Sequence, residues 1–206
     1  MSILIAIGGG SGSGKSFITE KLIQVLGEEK VNHISYDYYY KNRTDLTFEE
    51  RTKVNYDSPD SLDKQLFLTH LSQIKNGIEI DMPQYDFTNH LRKDKTVKFT
   101  PKDIVIVDGI LIYTLPKYEK IFDYTIFVDT DSDVRFARRL LRDIKERGRS
   151  VQGVFDQYMS TVKPMHNKYV EPYKNSVDFT FTNNNKDGID EAIFSSLVKE
   201  LKQFVK

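Results

Sequence analysis

The run Gly9-Gly10-Ser11-Gly12-Ser13-Gly14-Lys15-Ser16 constrains this chain more than any other stretch, because its spacing is that of a phosphate-binding loop. Glycines let successive backbone N–H groups turn inward around phosphate oxygens, and a helix amino terminus adds positive potential. Lys15 then reaches the outer phosphates of a bound ATP, and the Ser16 hydroxyl can ligate magnesium. Such a loop works only between a strand and a helix. Residues 3–7 are an apolar run, and residues 15–26 carry helical periodicity closed by Gly27, so both flanks are present and a glycine linker is the poorer reading.

The same alternation continues along the chain. Apolar runs at 31–35, 104–107, 124–128 and 177–181 read as strands, and 62–75, 132–147 and 189–205 read as helices. Four consecutive apolar residues, Ile104-Val105-Ile106-Val107, suit a central strand covered on both faces. Leu62, Leu66, Leu71 and Ile74 line one helical face. Ile78, Ile80 and Met82 alternate, as do Val97 and Phe99, which predicts a small antiparallel hairpin over about residues 78–100. The expected fold is α/β: one domain over 1–206, with a P-loop NTPase-type parallel sheet flanked by helices, a β-hairpin excursion and a helical arginine lid over about 138–164.

Composition narrows the chemistry. With 30 Lys+Arg against 30 Asp+Glu, the 206-residue chain lacks the charge of a dedicated nucleic-acid or membrane-surface binder. The absence of cysteine excludes a disulfide scaffold, a thiolate zinc site and a thiol nucleophile. The apolar start at 1–7 has no basic region before it and no run is long enough to span a membrane, so a cytoplasmic protein is expected.

A phosphate-binding loop serves many reactions, and further motifs select among them. A guanine-specific switch needs an Asn-Lys-x-Asp tetrad; the nearest string, Asn185-Lys186-Asp187, lacks the spacer. A small-molecule kinase remains, and it needs one carboxylate near the acceptor hydroxyl and another near the metal, both at the carboxyl ends of parallel strands. Asp37 follows the strand ending at Ser35 and reads as the base; Asp108 follows 104–107 and reads as the metal-side carboxylate. Asp129 and Asp131 are rivals for the metal role, although Asp131-Ser132 looks more like a helix start. A helix or turn cap is the bland alternative for each.

The segment 138–149 holds Arg138, Arg139, Arg142, Lys145, Arg147 and Arg149 against only Asp143 and Glu146. Arginine-rich helices are usually solvated faces, yet guanidinium forks on a closing lid match the charge that spreads over a transferring phosphoryl group. Arg135, Arg139 and Arg142 fall on one face, so a shared target is geometrically available. Gly148 offers a hinge or helix stop. Tyr36-Asp37-Tyr38-Tyr39-Tyr40, Tyr85-Asp86-Phe87 and His90 supply aromatics beside polar groups, which suits a base pocket as well as plain core.

These residues, with 55–61, Pro83-Gln84, Asp108-Gly109-Ile110-Leu111, Phe127-Val128-Asp129-Thr130-Asp131 and Val162-Lys163-Pro164, resemble the uridine-cytidine kinases in the same order over nearly the whole chain. The resemblance implies phosphorylation of the 5′-hydroxyl of uridine or cytidine by ATP or GTP, with magnesium, commonly by a homotetramer. It implies Gly9 to Ser16 as the ATP loop, Lys15, Asp37, Arg142 and Arg147 as catalytic, and Ser16, Asp37 and Asp108 toward the metal. It implies Tyr40, Asp57, Tyr85, Phe87, His90, Arg139, Arg149 and Gln157 around the nucleoside, with Asp57 and Arg139 on the ribose. Where Asp108 stands, the family usually carries glutamate; the shorter side chain would sit on the order of 1.5 Å further from a metal. Two other readings remain open: a phosphoribulokinase-like sugar-phosphate kinase and a nucleotide-binding regulator without turnover.

Overall fold

The computed structural model describes residues 1–185 and 188–205; Lys186 and Asp187 of the Asn-Lys-Asp string lie outside the described residues. In chain order the elements are β1 (Ile3–Gly9), α1 (Lys15–Leu26), β2 (Val31–Ser35), α2 (Phe48–Thr52), α3 (Lys64–Lys75), β3 (Ile80–Met82), β4 (Tyr85–Asp86), β5 (Leu91–Arg92) and β6 (Val97–Phe99). There follow β7 (Ile104–Asp108), α4 (Tyr118–Ile121), β8 (Tyr124–Asp129), α5 (Ser132–Arg147), α6 (Val151–Gln157), α7 (Lys163–Tyr169), β9 (Phe179–Thr182) and α8 (Glu191–Leu201). Strands β2, β7, β1, β8 and β9 form, in that order, a parallel five-stranded sheet.

Two apolar layers cover the sheet. Leu4, Ala6, Ile34, Val105 and Val107 pack toward Phe67, Leu71 and Ile74 of α3. Ile5, Ile7, Ile104 and Ile106 pack toward Ile18 and Leu22 of α1 and Leu197 and Leu201 of α8. Odd and even residues of β1 and β7 thus serve opposite faces, which is why β7 reads as an unbroken apolar run. The carboxyl ends of β1, β2, β7 and β8 share one edge, where an open α/β sheet gathers its ligands.

Several boundaries depart from expectation. Helix α3 starts at Lys64, not 62, because Asp63 caps it by accepting from the Leu66 N–H while Leu62 pairs in a β-bridge with Tyr40. Its buried face is Phe67, His70, Leu71 and Ile74, with Leu66 only partly covered. The last strand begins at Phe179: the Asp178 carboxylate accepts from the backbone and hydroxyl of Thr125, fixing the chain just before the ladder starts. The final helix is shorter than 189–205, running from its Asp190 cap to Leu201 before a tighter turn. The hairpin over 78–100 is split into two short ladders, Ile80 opposite Phe99 and Tyr85 opposite Arg92, with Pro83, which has no N–H to pair, at the break. After Gly148, whose left-handed φ of 62° ends α5, the chain re-enters helix: α6, one π-helical turn at Tyr158–Val162, and α7.

Candidate active site

The phosphate-binding loop bends off β1 and opens α1 as its spacing requires. Gly12 adopts φ 81°, and a Cβ there would lie 2.4 Å from the Arg135 carbonyl, so only glycine fits. Lys15 folds back over the loop and donates from Nζ to the carbonyls of Gly9 (3.0 Å) and Gly10 (3.1 Å). Burial lowers its pKa, against the opposing pull of Asp108 and Asp37. A cavity of about 500 Å³ opens from this loop, ample for a small ligand.

Ser11, Gly12, Gly14, Lys15 and Ser16 line the cavity, whereas Gly9, Gly10 and Ser13 do not. Ser13 is wholly buried; its carbonyl accepts from Asn183, Thr130 and Arg138, so it ties the loop to the neighbouring strand ends. Asp37 lies in the 3₁₀ turn that follows β2, its N–H donated to the Ser35 hydroxyl. Burial first, and the Asp108 charge second, push its pKa up to about 6. Its Oδ1 is buried without a hydrogen-bond partner. Asp108, by contrast, has its pKa lowered: burial works against ionisation, but His33, Lys15 and Ser35 overcome it. The two carboxylates are therefore differentiated: Asp108 gives up its proton more readily than a free carboxylate, and Asp37 less readily, closer to neutrality. Asp129, the sequence rival, is instead paired with Lys174 at 2.7 Å. Asp131 occupies the α5 cap position without accepting a side-chain cap bond. Among the described residues no three His, Cys, Asp or Glu side chains converge as a metal cage; the oxygens at hand are those of Ser16, Asp37 and Asp108 on the cavity wall.

At the far end the hairpin tip closes over an aromatic cluster. The Asp86 carboxylate accepts from the N–H groups of Thr88 and Asn89, and Arg51 donates from Nε to the Asn89 carbonyl, which locks the turn. His90 is held at φ 54°, a conformation unusual for a non-glycine residue and a mark of a constrained site. Its ring stacks on Tyr56 at 4.8 Å, and Tyr85 meets both Tyr40 and Phe87. Burial, then the charges of Arg149, Arg147 and Arg51, lower the His90 pKa to about 4. The imidazole is neutral at physiological pH. Asp57 is half-buried on the cavity wall, under the charges of Arg139 and Arg149, with its pKa raised by desolvation despite them.

The arginines divide differently from the expected single face. Arg135 does not line the cavity: it lies buried behind the loop, donating to the Thr130 carbonyl, with its guanidinium against Gly10. Seven residues advance α5 by about 10.5 Å, so one face spans both the back of the loop and the cavity mouth. Arg139 donates to the Ser11 hydroxyl at 2.8 Å and to Gln157 at 2.9 Å, and Arg149 also donates to Gln157. Asp143, wholly buried, contacts Arg142 at 2.8 Å, Arg147 at 3.4 Å, Arg139 at 3.6 Å and Arg149 at 3.7 Å. Burial alone would raise its pKa; Arg142, Arg139 and Arg147 reverse that and keep it ionised. Sequence reasoning missed Asp143 as a hub, and likewise Tyr56, His33, Phe17, Ser35 and Ile110 on the wall; Tyr38 and Arg138, named there only within their aromatic and arginine runs, also line it. Tyr56 was foreseeable, since it adjoins Asp57 in the chain.

The phosphoribulokinase/uridine kinase family matches residues 4–189. The chain belongs to that family. Both halves of its name are kinases, so the protein is a phosphotransferase of the P-loop kind. The uridine kinase of Macrococcus caseolyticus (strain JCSC5402) is 42% identical over 200 residues, 97% of each chain. That of Staphylococcus carnosus (strain TM300) is 42% identical over 96% of this chain and 95% of its own. D-glycerate 3-kinase from Cryptococcus neoformans var. grubii superimposes with TM-score 0.64 at 15% identity, over 91% of this chain and 88% of that one. Phosphoribulokinase from Rhodobacter spheroides does so with TM-score 0.63 at 14% identity, over 88% and 70%. At such identity the two structures speak for the fold.

Proposed function

We propose that this kinase transfers the γ-phosphoryl group of ATP or GTP to the 5′-hydroxyl of uridine or cytidine, giving UMP or CMP. One observation carries the reading: a single cavity holds the phosphate loop with Asp37 at one end and the aromatic cluster with neutral His90 at the other. Asp37 accepts the proton of the 5′-hydroxyl as its oxygen bonds to the γ-phosphorus, and the β–γ bridging oxygen departs with the nucleoside diphosphate. Lys15 holds the outer phosphates, and Arg142 and Arg147, oriented by Asp143, face the charge on the transferring group. Asp57 and Arg139 receive the ribose hydroxyls; Tyr40, Tyr85, Phe87, Arg149 and Gln157 surround the base. The unpartnered Oδ1 of Asp37 beside Asp108 and the Ser16 hydroxyl form a hard-oxygen set that fits magnesium, which would neutralise the β- and γ-oxygens when bound. The cytoplasmic location expected from the sequence and the homotetramer implied by the resemblance belong to the same proposal.

The relatives of matching length are named uridine kinase, and a sugar phosphate has no use for a stacked Tyr56–His90 pair, so the sugar-phosphate reading is the weaker. A neutral imidazole donates or accepts according to tautomer, so His90 serves the 4-carbonyl of uridine and the 4-amino group of cytidine alike. A panel of nucleosides should show uridine and cytidine phosphorylated, adenosine and guanosine rejected, and deoxyuridine poor, because a desolvated Asp57 left without its hydroxyl partner costs about 1–3 kcal/mol. His90→Ala should lower kcat/KM for both pyrimidines and spare ATP affinity. Equal use of adenosine and uridine would defeat the assignment.

The segment 138–164 is proposed to close as a lid when both substrates bind. Gly148 interrupts it and the π turn at Tyr158–Val162 is a strained helical geometry common at functional sites. Amide hydrogen exchange across it is expected to slow with a bisubstrate analogue; the same exchange in free and bound protein would count against closure.

A further inference from the structure

Alternate residues of a strand share one side of the sheet, so Val31, His33 and Ser35 of β2 face the α1 layer together. Val31 is buried there with Ile104, Ile106 and Ile18, packing that an aliphatic residue at position 33 would extend. His33 instead reaches the cavity wall and sets its Nε2 3.0 Å from Oδ1 of Asp108. The parallel register places Ser35 opposite Asp108 and His33 opposite Ile106, so the imidazole approaches the carboxylate diagonally from two residues upstream.

Asp108 is 5% exposed, and a buried carboxylate needs donors to stay ionised. Ser35, opposite it in the register, adds a hydroxyl hydrogen bond, and Lys15 is close enough to act on it electrostatically although its Nζ already donates to two loop carbonyls; the His33 contribution is larger than either. Because an ionised carboxylate only accepts, the Nε2 facing it carries the proton.

We propose that His33 is a positioning residue for phosphoryl transfer: by holding Oδ1 of Asp108 it fixes the orientation of that carboxylate toward the cation that accompanies the donor phosphates. The proposal rests on the kinase reading above and assigns His33 no contact with either substrate. It makes the Asp108 carboxylate and the β2 histidine one unit.

The test uses the full chain, Mn²⁺ as the probe and a non-hydrolysable ATP analogue, with Mn²⁺ affinity read by electron paramagnetic resonance. His33→Ala is expected to weaken Mn²⁺ binding to the protein–analogue complex about tenfold, the usual scale for a ligand-orienting partner. His33→Gln, which keeps an N–H donor, should recover most of it. Kcat at fixed Mg²⁺ should fall with the KM for uridine unchanged. In an Asp108→Asn background, His33→Ala should cause no further loss, since residues acting as one unit are non-additive. Unchanged Mn²⁺ affinity in His33→Ala, no recovery in His33→Gln, or additive losses in the double variant would each overturn the proposal. A protein that phosphorylates no nucleoside but shows the Mn²⁺ pattern would defeat the proposed substrate and leave the positioning role standing.

Discussion

Lys15→Ala is expected to lower turnover by roughly 10²–10³-fold, the scale for removing one donor aimed at developing charge, and to weaken ATP binding as well. The variant should stay folded. Lys15 is a buried cation whose burial lowers its pKa, so the wild-type fold already bears the cost of desolvating it. Its two hydrogen bonds go to the Gly9 and Gly10 carbonyls, which face the loop interior and can be rehydrated once the side chain is gone. Calorimetric ATP titration, steady-state rates and a thermal melt of the same preparation separate these effects. A folded Lys15→Ala protein with normal turnover would remove the loop from the chemistry.

Asp37→Asn keeps the side-chain shape and removes the base, so kcat should fall by roughly 10²–10⁴ while uridine binding persists. Only a raised KM, with normal kcat, would make Asp37 a binding residue. The same substitution carries a stability signature. Asp37 titrates at about 6 in the fold, above the ordinary carboxylate value of 3.8, because burial and the Asp108 charge disfavour its ionised form. Between those two values this group binds more protons in the native state than in the unfolded chain, so its contribution to stability falls as pH rises from about 4 to about 6 and is level above. His90, lowered to about 4, acts in the opposite direction in wild type and variant alike. In magnesium-free buffer the melting temperature of the wild type relative to Asp37→Asn should therefore fall across that window, and above pH 7 the variant should melt a few degrees higher. A catalytic group that destabilises its own fold is the pattern expected of a site shaped for chemistry. A variant that melts lower throughout would mean that the Asp37 carboxylate supports the fold instead.

How much of this was legible depends on the distance over which each signal is written. The loop, its strand and its helix are consecutive in the chain, so the pattern at 9–16 led directly to the arrangement seen from β1 into α1. The central strand was equally plain, since a run covered on both faces has no polar residue to confuse it. Helix α5 matched its expected bounds, 132–147, because charge and periodicity both marked it. The continuation through α6 and α7 was expected only as part of a helical lid over about 138–164, without bounds for either helix: Gly153 and Pro164 interrupt the periodicity, and packing of Val154, Tyr158, Val162 and His166 holds that segment helical instead.

The amino-acid sequence by itself determined the phosphate loop, the parallel α/β sheet that must carry it, and the strand-end positions of Asp37 and Asp108. Those follow from spacing within a few residues and from periodicity, which are local properties of the backbone. Only the tertiary structure decided which arginine does what, because Arg135, Arg139 and Arg142 are equivalent by helical spacing and are distinguished by what packs against each turn: the back of the loop, Ser11 with Gln157, and Asp143. It alone made Asp143 the shared partner of four arginines and set His33 against Asp108, 75 residues away. It also shifted the two carboxylates in opposite directions, Asp108 down and Asp37 up toward neutrality. Charge and burial act through space, and their balance at a site is fixed only when strands distant in the chain are brought to one sheet edge.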